Sequence, residues 1–100
     1  MTIQQIKKDL LNVRMFYYEK EFYLRWVRRG FKTNLIKLVE KYDKAMENAP
    51  AHLLRVYIGI YCEWRTHAEL ADEMGLCERT IQVRKNELFE YLRETLTNIS

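Results

Sequence analysis

Glu78, Arg79, Gln82, Val83 and Asn86 lie within nine residues of one another and carry types suited to reading base-pair edges. An arginine can make a bidentate contact to guanine, and glutamine or asparagine can do the same with adenine. Glutamate accepts from the cytosine amino group, and a valine methyl can meet the thymine methyl. Thr80, Arg84 and Lys85, interleaved with them, suit phosphate oxygens, which position a protein on a duplex without reporting its sequence. Taken singly, each of these residues is equally a member of a solvated helix face. Their weight as a set depends on the elements that hold them.

The preceding residues carry the signature of a helix-turn-helix over 66–92. Thr66 and Glu69 have the spacing of a capping box, which opens a short helix. Leu70, Ala71 and Met74 give that helix one apolar face, and Gly75 supplies the left-handed residue that ends it. Leu76 plugs the turn, Cys77 stands where a cap belongs, and a second helix runs from Glu78 to about Leu96. Ala71, Gly75 and Ile81 matter most. The first helix needs a small residue where the second crosses it, the turn needs glycine, and the second helix needs an aliphatic anchor. An ordinary helical hairpin needs only the glycine. With Ile81 and Leu88 turned inward, Glu78, Arg79, Gln82, Val83 and Asn86 face outward, and the N-terminal part of such a helix is what enters a major groove.

Earlier in the chain, residues 2–29 read as one long helix with Ile3, Ile6, Leu10, Val13, Tyr17, Leu24 and Val27 at three-four spacing, interrupted in register only by Lys20. Phe16, Tyr23 and Trp26 widen the stripe. Gly30 is the natural break. Thr33 then caps a second run that presents Phe31, Leu35, Leu38, Tyr42, Ala45 and Met46. Two amphipathic helices joined at a glycine predict a helical hairpin over 1–47. Its first helix has more apolar surface than the second can cover, so part of it must face the rest of the chain or another copy. Asn48 as a cap and Pro50 in a first turn predict a further helix over 50–64, apolar nearly all round. That gives an all-α fold: a helical hairpin, a possible oligomerisation arm, followed by a three-helix unit over 48–100. The last residues, 97–100, are expected to fray.

Composition narrows the function classes. The 100 residues include one proline and three glycines, which favours helix. No apolar run is long enough for a membrane span, and the first residues lack the pattern of a signal peptide, so a cytoplasmic protein is expected. His52, Cys62, His67 and Cys77 contain no pair at zinc-ligand spacing, so neither metal nor other cofactor is implied. There is no phosphate-binding glycine loop and no nucleophile with an evident base, so the chain does not read as an enzyme. The net charge of +3 is uneven: residues 1–29 hold seven basic and three acidic groups, whereas residues 76–100 are neutral. Phosphate neutralisation supplies much of the affinity for DNA, so the second half alone should bind weakly. Arg25, Arg28, Arg29 and Lys32 at the hairpin tip can supply the missing charge, with Arg28 and Arg29 the expected phosphate contacts.

Residues 51–92 resemble the fourth region of bacterial sigma factors. The resemblance lies in the run Gly-Leu-Cys-Glu-Arg-Thr-Ile beginning at Gly75, close to that family's Gly-Leu-Ser-x-x-Thr-Val, and in the Glu-Leu-Ala before it. Cys77 replaces the usual serine, and Arg84 stands where an aliphatic residue is common. With a basic, aromatic helical arm in front, the whole chain resembles small phage transcriptional regulators of the RinA and ArpU kind. The resemblance implies a transcriptional regulator encoded by a phage or prophage. With the residues read above, the expectation is a sequence-specific binder of double-stranded DNA whose N-terminal helices supply a homodimer contact, added phosphate contacts or a surface for RNA polymerase. Two other expectations fit the same pattern. One is a small-terminase-like DNA-packaging protein, and the other a protein-interaction module that keeps the helix-turn-helix as a scaffold.

Overall fold

The computed structural model describes residues 1–99, and among them every regular element is helical. Helix α1 spans Ile3–Tyr18, α2 Lys20–Arg28, α3 Asn34–Ala45, α4 Ala51–Tyr57, α5 His67–Met74 and α6 Glu78–Ile99, with a π-helical turn at Ile58–Cys62 continuing α4. The all-α expectation holds. The boundaries differ in four places, each with a local cause.

The long first helix is two. It breaks at Glu19 (φ −112°, ψ 34°), next to the lysine that interrupts the apolar register. Before the break the register is strong: Ile6, Leu10 and Val13 are fully buried and Phe16 nearly so. After it, α2 has no buried residue, and only Tyr23 and Val27 reach the edge of the core. Gly30, at φ 87°, makes the expected turn, and Thr33 caps α3 by accepting from the Ile36 N–H at 3.2 Å. Helix α3 packs along α1 through Ile36, Val39 and Tyr42.

The helix expected over 50–64 is shorter at both ends. Pro50 is itself the N-terminal flanking residue, and no side chain of Asn48 caps the helix. At the other end the α-helical pattern yields at Ile58 to a widened turn, in which the Ile58 and Gly59 carbonyls accept from the Glu63 and Arg65 N–H groups at 2.8 and 2.9 Å. Gly59 explains why this turn sits where it does. A Cβ there would lie 2.7 Å from Leu70 Cδ1, so the absent side chain is what lets the turn lie against α5. Trp64, the last residue of that expected apolar helix, is instead on the surface at φ 63°. A left-handed conformation costs a non-glycine residue about 1–2 kcal/mol. Its contacts offset that cost: the indole stacks on Tyr18 at 4.3 Å, carries the Arg14 guanidinium over its ring at 4.7 Å and donates to the Arg14 carbonyl at 3.0 Å.

The fourth difference is at the C-terminus. Helix α6 runs to Ile99, past the expected end near Leu96, while Ser100 lies outside the described residues. The core is continuous from α1 to α6 and takes in Tyr42, Val56, Ile81, Leu88 and Leu92 on both sides of the expected division near residue 47.

Candidate nucleic-acid interface

Helix α5 begins as the sequence predicts. Thr66 Oγ1 accepts from the Glu69 N–H at 3.1 Å, and Glu69 Oε1 accepts from the Thr66 N–H at 3.2 Å. It ends at Gly75, whose φ of 68° lets the Leu76 N–H reach back to the Ala71 carbonyl at 2.8 Å. Three residues therefore reverse the chain and start α6. Leu70, Ala71 and Ile81 are buried, while Met74 and Leu76 pack against the core edge. At the start of α6 the Cys77 carbonyl accepts from the Thr80 N–H at 3.1 Å, and Cys77 Sγ lies 3.2 Å from the Thr80 hydroxyl.

At 100° per residue, burying Ile81, Leu88 and Leu92 turns Arg79, Val83 and Asn86 roughly 140–160° away from the core. All three are exposed, and Val83 keeps 49% of its surface in water. An aliphatic residue amid polar ones on the outer face of a helix leaves that face ready for an apolar contact. Gln82 is exposed on the flank toward α1 and donates to Asn86 Oδ1 at 3.3 Å, which aligns the two amides one turn apart. Glu78 is exposed but turned toward α5, where its charge acts on His67.

The expected phosphate contacts are less uniform. Thr80 is half-buried, with its hydroxyl beside Cys77. Arg84 is half-buried on the flank away from α1. Arg28 and Arg29 are exposed at the end of α2, and the Arg29 guanidinium lies over Trp26 at 5.8 Å. Lys85 faces α1 rather than the outer face. Its Nζ donates to His67 Nε2 at 3.1 Å and lies 5.9 Å from the Phe89 ring centre. Burial lowers the Lys85 pKa, and the nearby Arg14 and Lys7 charges lower it further. His67 is also shifted down, first by burial and then by Lys85, so its neutral ring is the acceptor.

Lys7, Arg14 and His67 thus belong to the surroundings of α6, although nothing in their local sequence marks them. Lys7 and Arg14 stand seven residues apart on one face of α1, and only the packing of α1 along α6 brings them to Lys85. The direction is antiparallel: Met1 shares a shallow groove with Arg93 and Thr97, Lys7 lies over Phe89, and Arg14 acts on Lys85. Beyond Asn86, two acids of α6 are engaged at the surface, Glu87 with His52 at 3.2 Å and Glu90 with Arg93 at 2.6 Å.

No known protein family, no curated protein and no solved structure matches the chain. Among the described residues, no helix is long and apolar enough to cross a membrane.

Proposed function

We propose that the chain is a DNA-binding transcriptional regulator, of the phage or prophage kind, that lays the first turns of α6 in the major groove. Arg79, Gln82, Val83 and Asn86 are the base-reading residues, with Glu78 at the groove's edge. The observation that carries this reading is the left-handed turn at Gly75. With Ala71 and Ile81 buried on either side of it, the turn leaves outward a set of side chains whose types match base edges.

Selection of bound duplexes from a random pool tests it, repeated with Arg79→Ala and Gln82→Ala. The expected result is one enriched motif in the wild type that loses information at specific positions in each variant. Identical enrichment in all three proteins overturns the base contacts, and absence of salt-dependent binding to any duplex favours a protein-interaction module instead.

The arm supports a dimer. Met15, Tyr18, Phe22 and Trp26 recur at i+4 or i+3 along α1 and α2, and with Phe31 they keep between 40% and 64% of their surface exposed. Half-exposed side chains of this size offer roughly 500 Å² per protomer, more than half of the ~800 Å² per partner of a stable interface. A second copy paired through this stripe would give half-sites about one helical turn apart. Sedimentation equilibrium checks it, with a dimer expected that Phe22→Glu and Trp26→Glu convert to monomer. A strict monomer at high concentration overturns the pairing, and a larger ring turns the reading toward DNA packaging. The arm's outer surface and the acidic end of α6 are the candidate surfaces for RNA polymerase.

A further inference from the structure

Between α1 and α6 lies a groove of about 250 Å³ lined by Lys7, Leu11, Tyr61, Gln82, Lys85 and Phe89, with Arg14 about two turns along α1 from Lys7 and close enough for its charge to act on Lys85. We propose that this groove holds one backbone phosphate of the bound DNA, gripped by Lys7 and Arg14 from the arm together with Lys85 of α6. The site rests on the reading of α6 as the DNA-facing helix and gives α1 a direct part in binding.

Charge is the first observation. Lys7, Arg14 and Lys85 come together from two elements, and among the described residues none of the three has a carboxylate within ion-pair distance. The Lys7 and Lys85 ammoniums lie 5.5 and 5.9 Å from the centre of the same Phe89 ring. Holding like charges at a partly desolvated site is unfavourable, and the depressed Lys85 pKa is the signature of that cost. An anion in the groove reverses it.

Hydrogen-bonding capacity is the second. An ammonium has three protons to donate, and Lys85 gives one to the neutral His67 ring. The Arg14 guanidinium is held over Trp64, and its Nε is buried without a partner. Donors fixed in place by protein contacts lose little freedom when a ligand arrives. A phosphodiester and a carboxylate each offer two acceptor oxygens to such a set, so the place of the groove beside α6 decides between them.

Position is the third. A helix lying in the major groove has a sugar-phosphate backbone along each flank. Gln82 marks where the outer face of α6 meets this groove, so the strand on the α1 side passes the three cations as the base pairs pass Gln82 and Asn86.

The test is a salt titration of duplex binding by the full chain and by Lys7→Gln, followed by duplexes carrying a single neutral methylphosphonate at successive positions. Lys7 is exposed, so its replacement leaves the core intact; Lys7→Gln/Arg14→Gln, checked for an unchanged circular dichroism spectrum, is the stronger variant. The expected result is several-fold weaker binding, a plot of log affinity against log salt shallower by about 0.9 for one lost phosphate, and an unchanged preferred sequence. One methylphosphonate position should weaken the wild type and leave the double variant unaffected. Salt-dependent wild-type binding with an unchanged slope in both variants overturns this site and leaves the DNA reading standing. Absence of salt-dependent duplex binding by the wild type overturns the DNA reading, and the site with it.

Discussion

The Tyr57 hydroxyl donates to Asp43 Oδ1 at 2.6 Å, while Tyr17 donates to the other oxygen of the same carboxylate at 2.7 Å. One acid on α3 is thus held by α1 and by α4, the first helix of the unit that ends in α6. Asp9 repeats the device, accepting from Tyr42 at 2.7 Å and from Gln5 at 2.9 Å. Hydrogen bonds to an ionised acceptor are the strong ones, so the arm and the helix-turn-helix are fixed to one another rather than loosely tethered.

Tyr57→Phe removes one of the two donors to Asp43 and leaves a partly buried carboxylate short of a partner. The expected loss is about 1.5–3 kcal/mol of unfolding free energy, measured by urea denaturation. The transition should stay single, since the core runs through both halves. Two separated transitions would contradict the coupling.

Alkaline pH should weaken the fold through the same hydroxyls. Burial, followed by hydrogen bonding to Asp43 or Asp9, raises the pKa of Tyr17, Tyr42 and Tyr57 well above the ordinary tyrosine value of 10.0; burial alone pushes Tyr61 up to about 12. Cys62 is likewise pushed up to about 12 from 9.0. In each case the folded state holds a proton that the unfolded chain releases first. Stability is therefore fully present below about pH 9 and falls as pH climbs through the unfolded-state values toward the folded ones, by up to about 1.4 kcal/mol per pH unit for each group. Melting temperature against pH checks this, with a decline expected to begin near pH 9 and steepen above 10. A flat profile to pH 11 would refute it.

What the sequence makes legible is what depends on nearby residues. The capping box of Thr66 and Glu69, the left-handed Gly75 and the buried Ala71 and Ile81 follow from types at fixed spacing, and all are present. The break at Glu19 had a local trace in the register slip at Lys20. Long-range partners left none: nothing around Asp43 indicates that two tyrosines 26 and 14 residues away will share it. The same holds for Lys7, Arg14 and Lys85, whose grouping is a property of how α1 lies along α6. Gly59 was invisible for a related reason, since its role is set by Leu70 on another helix.

Gly59→Ala tests that last contact. In an exposed helix the change would be stabilising by up to about 1 kcal/mol through propensity. Here the new Cβ meets Leu70 Cδ1 at 2.7 Å and Cγ at 3.4 Å, and Leu70 is 2% exposed, so it must shift within the core rather than into solvent. Overpacking of this kind costs about 1–3 kcal/mol, so a net loss is expected by chemical denaturation. Leu70→Ala in the same chain should make the alanine tolerated, giving a smaller loss than the two single losses added together. Strict additivity would mean that the two residues do not meet.

The two cysteines should differ sharply in reactivity. Cys77 is exposed, and its pKa is lowered by the Thr80 hydroxyl and by backbone N–H groups at the start of α6, which favours the reactive thiolate. Cys62 is half-buried in the π-helical turn with its thiol pushed up to about 12, so almost none of it ionises at neutral pH. A thiol-reactive dye at pH 7.5 should therefore label one site in the folded protein, and Cys77→Ser should abolish that fast phase. The same substitution puts a better N-cap in front of α6, so the melting temperature should rise rather than fall. If α6 enters the major groove, a bound duplex should slow labelling of Cys77 and leave Cys62 unaffected. Labelling of Cys62 in the folded wild type at a rate comparable to Cys77 would mean that the turn carrying Gly59 opens readily, and the packing of α5 against it would then have to be weaker than the Leu70 contact implies.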